Sequence, residues 1–160
     1  MSLQDIVSIL EKTLGTDAVQ IIEQGREDYL LVDKESLLAV CEIIYQHDQL
    51  YFDFLSSITA SDNGEESGMM DVIYHFSSLV YELKLTLKVV LDRTQPEIQS
   101  LCSIWKAANW HEREAYDLLG VKFLNHPDLR RILLPHNWEG HPLRKDYDEQ
   151  EYYHGIKVKY

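Results

Sequence analysis

Near the start of the chain Leu3, Ile6, Val7, Leu10 and Leu14 recur at helical spacing and the pattern stops at Gly15, which predicts a first amphipathic helix. Residues 18–24 and 28–32 are short β-like runs around Gln24, Gly25, Arg26 and Glu27, the pattern of a hairpin. Asp33 is placed to cap a second helix whose buried stripe is Leu37, Leu38, Val40, Cys41, Ile44 and Tyr45. A strand over about 51–58 precedes a polar, glycine-containing run at 60–68, which reads as an exposed loop. The clearest alternation comes next, where residues 70–76 and 80–90 flank Ser77, Ser78 and Leu79. In the second run Tyr81, Leu83, Leu85, Leu87 and Val89 alternate with Glu82, Lys84, Thr86 and Lys88, the signature of a sheet with one buried and one wet face. Pro96 sits where a first helical turn tolerates it, predicting a helix over 96–106. A short helix carrying Glu112, Arg113 and Glu114 ends at Gly120, and extended, proline-punctuated chain follows. Helices on both sides of mainly antiparallel strands predict an α+β fold. The expected organisation is one domain over 1–125 with an extended C-terminal segment over 126–160.

Composition narrows the function. With 160 residues, 45% of them hydrophobic, the chain is globular rather than disordered. The net charge of −12 argues against a nucleic-acid binder, which needs a basic footprint. Residues 1–100 hold 18 Asp and Glu against 6 Lys and Arg, while residues 101–160 hold 9 of each. An acidic body therefore carries a neutral tail region, which also holds five of the seven histidines. The acidity of the body by itself means solubility. Cys41 and Cys102 form no CxxC pair, which argues against an iron–sulfur or structural zinc site and for reduced, packed thiols. The opening MSLQDIVSIL lacks a basic n-region and a long apolar run, so no secretory signal is expected. No run reaches the roughly 18 apolar residues of a membrane span.

Candidate chemistry is sparse. Glu112 and Glu114 point about 200° apart on a helix, so they cannot act as a paired acid and base. Arg113 and Asp117 stand at i,i+4 and can pair on one face, with the acids in the first turn where the helix dipole favours them. The motif is either such a helix with ordinary electrostatics or one that turns Glu112 or Glu114 to a partner. His111, His126, His136 and His141 form no HxH, HxxxH or HExxH, and His126 and His141 directly precede prolines, which marks bends rather than zinc ligands. No GxSxG elbow or phosphate-cradling glycine loop is present. Arg130 and Arg131 face opposite ways if extended: either both are solvated, or one reaches back to the body while the other meets a partner. The tail also holds Trp138, Tyr147, Tyr152, Tyr153 and Tyr160, with Arg144 and Lys145. That many aromatic and basic residues on aperiodic chain suits a surface docked on a permanent partner.

Two blocks carry a family resemblance. The first reads Glu112-Arg113-Glu114, Asp117-Leu118-Leu119, His126, Arg130 and Ile132-Leu133; the second is GHPLRKDY at 140–147, with a weaker likeness over 51–90, including YFDFLSSITASD. Together they resemble the C-type (30 kDa-type) subunit family of proton-pumping NADH:quinone oxidoreductase, respiratory complex I. Asp148 stands where members often have proline. The resemblance implies a cofactor-free structural subunit of the hydrophilic arm, with FMN and iron–sulfur clusters held by partner subunits. It implies a position beside the large D-type subunit of the quinone site, near the B-type and I-type iron–sulfur subunits, with the C-terminal segment lying along the quinone-site partner. The implied interface residues are Glu112, Arg113, Glu114, His126, Arg130, Arg131, Trp138, His141, Arg144, Lys145 and Tyr147. No catalytic, cofactor-binding or metal residue is expected in this chain itself, although the whole complex is a translocase that passes electrons from NADH to quinone. With no Arg-rich transit segment at the start, the expected setting is bacterial: peripheral on the cytoplasmic side of the inner membrane, attached only through the complex. Equivalent subunits of membrane-bound hydrogenases and of ferredoxin- or F420-linked complexes form the nearest alternative. From other classes stand a small free-standing enzyme using Glu112 or Glu114 with His126, and a reversible regulatory adaptor.

Overall fold

The computed structural model describes residues 1–15, 18–23 and 27–159. Helix α1 (Leu3–Leu14) starts as the sequence predicts, and a reciprocal capping box fixes its first turn: Asp5 N–H donates to Ser2 Oγ and Ser2 N–H to Asp5 Oδ2. Strands β1 (Val19–Ile22) and β2 (Tyr29–Val32) pair antiparallel as expected, and the hairpin residues Gln24, Gly25 and Arg26 lie outside the described residues. Helix α2 (Leu37–Gln46) buries Leu37, Val40, Cys41 and Ile44, but Asp33 does not cap it. Instead the Asp33 carbonyl accepts from Ser36 N–H in a turn, and the helix begins after it.

Strands β3 (Phe54–Asp62), β4 (Met69–Ser78) and β5 (Leu83–Asp92) complete a five-stranded sheet in the order β1-β2-β5-β4-β3, antiparallel except for the β2–β5 pair. The expected loop at 60–68 is shorter than read, because β3 runs on to Asp62 and β4 starts at Met69. Register aligns Leu30, Leu87, Tyr74 and Ile58 in one row across four strands, all buried in the core. The adjoining row of Leu31, Lys88, Ile73 and Thr59 lies on the opposite, wetter face, where Lys88 pairs with Asp71 at 2.6 Å.

The helix expected over 96–106 does not form. Residues Glu97–Gln99 are strand β6, paired in parallel with β7 (Lys122–Leu124). The apolar spacing of Ile98, Leu101, Cys102 and Trp105 does fit a helix, but tertiary bonds take the backbone donors a helix would need. Ser100 N–H goes to the Leu124 carbonyl and Leu101 N–H to the Glu112 carboxylate. Helix α3 (Ala108–Leu119) follows, packs chiefly along the edge strand β3, and ends at Gly120 in left-handed conformation. Beyond β7 the chain is irregular as expected until a small hairpin, β8 (Tyr152–Tyr153) and β9 (Ile156–Lys157), which turns through His154 and Gly155 at positive φ. No helix among the described residues is long and apolar enough to cross a membrane.

Candidate functional site

Helix α3 has three working faces. Ala108, Glu112, Ala115 and Leu119 turn to the core; Arg113 and Asp117 meet the segment after β7; Trp110, His111, Glu114 and Leu118 look outward. The sequence-predicted divergence of Glu112 and Glu114 is therefore real, and it separates a fully buried carboxylate from an exposed one.

Asp117 is the main anchor of the following segment, a strap running from His126 toward the terminal hairpin. It has no exposed surface, and its Oδ2 accepts the backbone N–H of Ile132, Leu133 and Leu134 at 3.0, 2.8 and 2.9 Å. Its Oδ1 receives Arg131 Nη1 at 2.7 Å, while Arg131 Nη2 reaches across to the Gly140 carbonyl at 2.8 Å. Burial alone would raise the pKa of Asp117. The Leu134 N–H, the Arg131 guanidinium and the N–H groups of Leu133 and Ile132 outweigh it and hold the carboxyl below its ordinary range. Arg113 does not pair with Asp117 as its i,i+4 spacing suggests. It donates to the carbonyls of Arg130 and Arg131 at 3.1 and 3.3 Å and lies 5.3 Å from the Trp110 ring centroid. The acids are not in the first turn either, since α3 starts four residues before Glu112.

Further along, the strap is fixed where β3 ends and just past β5. Arg93 forks onto Asp62, with Nε and Nη2 at 2.7 and 3.0 Å from the two carboxylate oxygens, and also meets Asp146 at 2.6 Å. Asp62 closes the knot by accepting Lys145 N–H at 2.8 Å and Gly64 N–H at 2.9 Å. The Arg93 guanidinium first, and then those two N–H groups, hold Asp62 well below the usual carboxylate range against the effect of burial. A carboxyl with a depressed folded pKa stabilises the fold above the unfolded value, about 3.9, and loses that contribution as pH falls toward the folded one. Chemical denaturation between pH 3 and 7 is expected to show acid-side loss of stability in the wild-type chain. Asp62→Asn should be less stable near neutrality and less steep below about pH 4; an unchanged acid limb would detach Asp62 from it.

Between the two anchors His141 packs on the end of α3. Its Nδ1 hydrogen-bonds the Asp117 carbonyl at 2.9 Å, and a Cβ at Gly120 would fall 2.8 Å from its ring. Gly120 thus serves both the left-handed cap and the close approach of the strap. Trp138 is half-buried, donating to Tyr147 Oη at 3.1 Å with Tyr153 at 5.1 Å between centroids.

The sequence reading puts Glu112 on a docking face, but its carboxylate lies inside the chain. Ser100 Oγ and Leu101 N–H donate to it at 2.6 and 2.7 Å, and Cys102 Sγ lies at 3.4 Å. Its pKa is pushed up to about 7, first by burial, with those donors opposing. Burial and the adjacent Glu112 push the Cys102 thiol up to about 11, although Ser100 opposes them. His126 also has a fully buried side chain, 3.9 Å from Glu112. Cys102, Glu112 and His126 therefore converge within 4.8 Å, a spacing a metal could bridge. The imidazole is wrongly set for it. His126 Nδ1 accepts Asp128 N–H at 2.9 Å, which keeps the ring proton on Nε2, the nitrogen that faces Glu112 and the Asn109 carbonyl. Neither Glu112 nor His126 reaches solvent, so the acid–base reading has no route to a substrate.

Of the residues read from the sequence as an interface, the structure turns Glu112, Arg113, His126 and Arg131 inward. It leaves Glu114, Arg130 and Lys145 exposed and holds Trp138, His141, Arg144 and Tyr147 half-buried between body and strap. Among the described residues the Arg130 side chain pairs only with its neighbour Asp128, at 2.9 Å. The alternative in which one arginine of the pair reaches back is the one observed, and the other faces out. Asp62, Arg93 and Asp146 escaped the sequence reading because a bond between distant strand ends and a tail leaves no local periodicity.

Comparison with known proteins places this architecture. A profile of the family described as "Respiratory-chain NADH dehydrogenase, 30 Kd subunit" matches residues 30–153. The chain is 46% identical over 123 residues to the C-type subunit of NADH-quinone oxidoreductase from Chloroherpeton thalassium, covering 76% of this chain and 50% of that one, so it spans half that relative's length. It is 38% identical over 152 residues to the protein of the same name from Trichlorobacter lovleyi, covering 92% and 93% of the two. Among solved structures, a chain of the membrane-bound sulfane sulfur reductase, an archaeal respiratory membrane complex, shares the fold with a TM-score of 0.73. That likeness has 21% identity and covers 91% of this chain and 84% of the other.

Proposed function

The chain belongs to the 30 kDa subunit family of the respiratory-chain NADH dehydrogenase, and from that premise we propose that it is a structural subunit of the hydrophilic arm of an NADH:quinone oxidoreductase. In this role residues 1–125 form the scaffold domain and the strap after residue 125 presents the docking surface. The neighbours are the D-type subunit of the quinone site and the B-type and I-type iron–sulfur subunits. The assembly carries electrons from NADH through FMN and iron–sulfur clusters to quinone; this chain holds those subunits in register and supplies no redox group. It sits at the cytoplasmic side of a bacterial inner membrane, peripheral and attached through the complex.

The observation that carries the reading is the strap itself. Two buried carboxylates, Asp117 and Asp62, accept main-chain N–H groups of the tail, which is a device for shaping a surface rather than for reacting. The inward setting of Glu112 and His126, away from any substrate, supports a chain without chemistry of its own, and two cysteines fall short of the four that most clusters take. The fold shared with the sulfane sulfur reductase chain keeps a sister respiratory assembly as the second reading.

Affinity purification of the tagged chain from its native membranes, with mass spectrometry of what accompanies it, tests the proposal. NADH-binding, iron–sulfur and quinone-site subunits are expected, in reduced yield from Arg130→Glu, whose exposed site spares the fold. Hydrogenase or sulfur-reducing subunits would move the chain to a sister assembly, and a lone chain would overturn the scaffold role.

A further inference from the structure

The outward face of α3 takes no part in either anchor. Trp110, Glu114, Leu118 and His111 fall within about a 100° sector of the helix, and Trp110 is 62% exposed. Such exposure is unusual for the side chain that most often anchors protein interfaces. Arg113 stacks on that indole from the strap side, so the ring is held in place before any partner arrives.

Beside this face runs a groove of about 310 Å³, lined by Ser57, Ile58, Thr59 and Ala60 of β3, by His111, Glu114, Ala115, Leu118 and Leu119 of α3, and by Leu143 of the strap. The strap wall is fixed by a bond from Leu143 N–H to the Leu118 carbonyl, 2.9 Å. The groove is apolar and hydroxyl-lined apart from His111 and one carboxylate, Glu114, which enters none of the ion pairs formed among the described residues. A space of this size admits one or two side chains. Its charge, on a chain of net −12, favours a cation.

We propose that the groove between α3, β3 and the strap receives a basic, apolar segment of a neighbouring subunit. A lysine or arginine of that segment meets Glu114, and an adjacent apolar side chain lies between Leu118 and Leu143. The proposal rests on the reading of this chain as a subunit of a respiratory assembly. It adds an order of events: Leu143 is one wall, so the groove is complete only when the strap is latched on Asp117.

A photo-crosslinking residue at position 111, in the full chain expressed in its own cells and purified with its assembly, tests this. The expected product joins position 111 to a peptide of another subunit that carries Lys or Arg beside apolar residues. Glu114→Lys should lower recovery of the chain in the assembly by about tenfold, restored when that basic residue is changed to Glu. Asp117→Asn, which touches no part of the groove, should remove the crosslink. Crosslinking to a second copy of this chain, or to an acidic or uncharged segment, would overturn the proposal. So would no crosslink while the chain still co-purifies with the assembly, an outcome that leaves the subunit role intact. Failure to co-purify with any assembly would remove that role first and the groove's occupant with it.

Discussion

Asp117→Asn is expected to destabilise the chain by about 3 kcal/mol and to open the strap to trypsin at Arg130 and Arg131. The wild-type carboxylate accepts three backbone N–H groups and a guanidinium. An amide of the same shape must set its own N–H₂ against one of those donors and loses the charge that Arg131 answers. The scissile bonds are guarded by the same arrangement, because the carbonyls of Arg130 and Arg131 are held by Arg113 from the neighbouring turn of α3. Once the strap lifts, both carbonyls are released together. Denaturant midpoints report the first effect and timed proteolysis with mass spectrometry the second. Unchanged values in both would mean that the Asp62–Arg93–Asp146 knot alone keeps the strap in place.

The second large effect is one of pH. Glu112 titrates near 4.5 when the chain is unfolded and at about 7 when folded, so between those values the folded state binds a proton that the unfolded state has released. Stability must therefore fall as pH rises through this window, by about 3 kcal/mol if the whole shift is expressed, and then level off. This runs opposite to the Asp62 and Asp117 contributions, which are lost at lower pH. Glu112→Gln keeps the bonds from Ser100 and Leu101 while removing the charge, and it should flatten the curve between pH 5 and 7. A wild-type curve already flat there would mean that the donors around Glu112 outweigh its burial and keep it ionised throughout.

How far the sequence foretold this molecule depends on the range of the interactions. Helix α1, the buried stripe of α2 and the alternation of β4 and β5 were legible because each rests on a local period that burial enforces. The segment after Pro96 was not, although its apolar spacing suits a helix. Glu112 and Leu124 capture the two N–H groups on which that helix would be built, and neither pairing leaves a periodic trace in the sequence. The tail shows a related limit of range. Aromatic and arginine residues on an aperiodic tail suggested a surface docked on a partner; Arg131 of that tail, with Arg113 of α3 and Arg93 of the body, also binds the strap to its own domain. Of the tail aromatics, Trp138, Tyr147 and Tyr153 are engaged with one another. What remains exposed on α3 is a tryptophan and a carboxylate, a pattern visible in the sequence only once the inward faces are known.

The bond from Lys145 to Asp62 spans 83 residues, and that span sets a schedule for the newborn chain. Synthesis delivers the N-terminal part first, so Asp62 and Asp117 are translated before Lys145 and residues 131–134, whose groups they accept. Until positions 131–146 emerge, the nascent domain carries carboxylates positioned for bonds that cannot yet form. A product released early, from a broken message or a stalled ribosome, is left with Asp117 short of its strap donors, Asp62 holding only Arg93 and Gly64, and a half-walled groove. The stability of the domain thereby depends on the completion of translation, and a chain ending at residue 125 is expected to unfold at lower denaturant than the full chain.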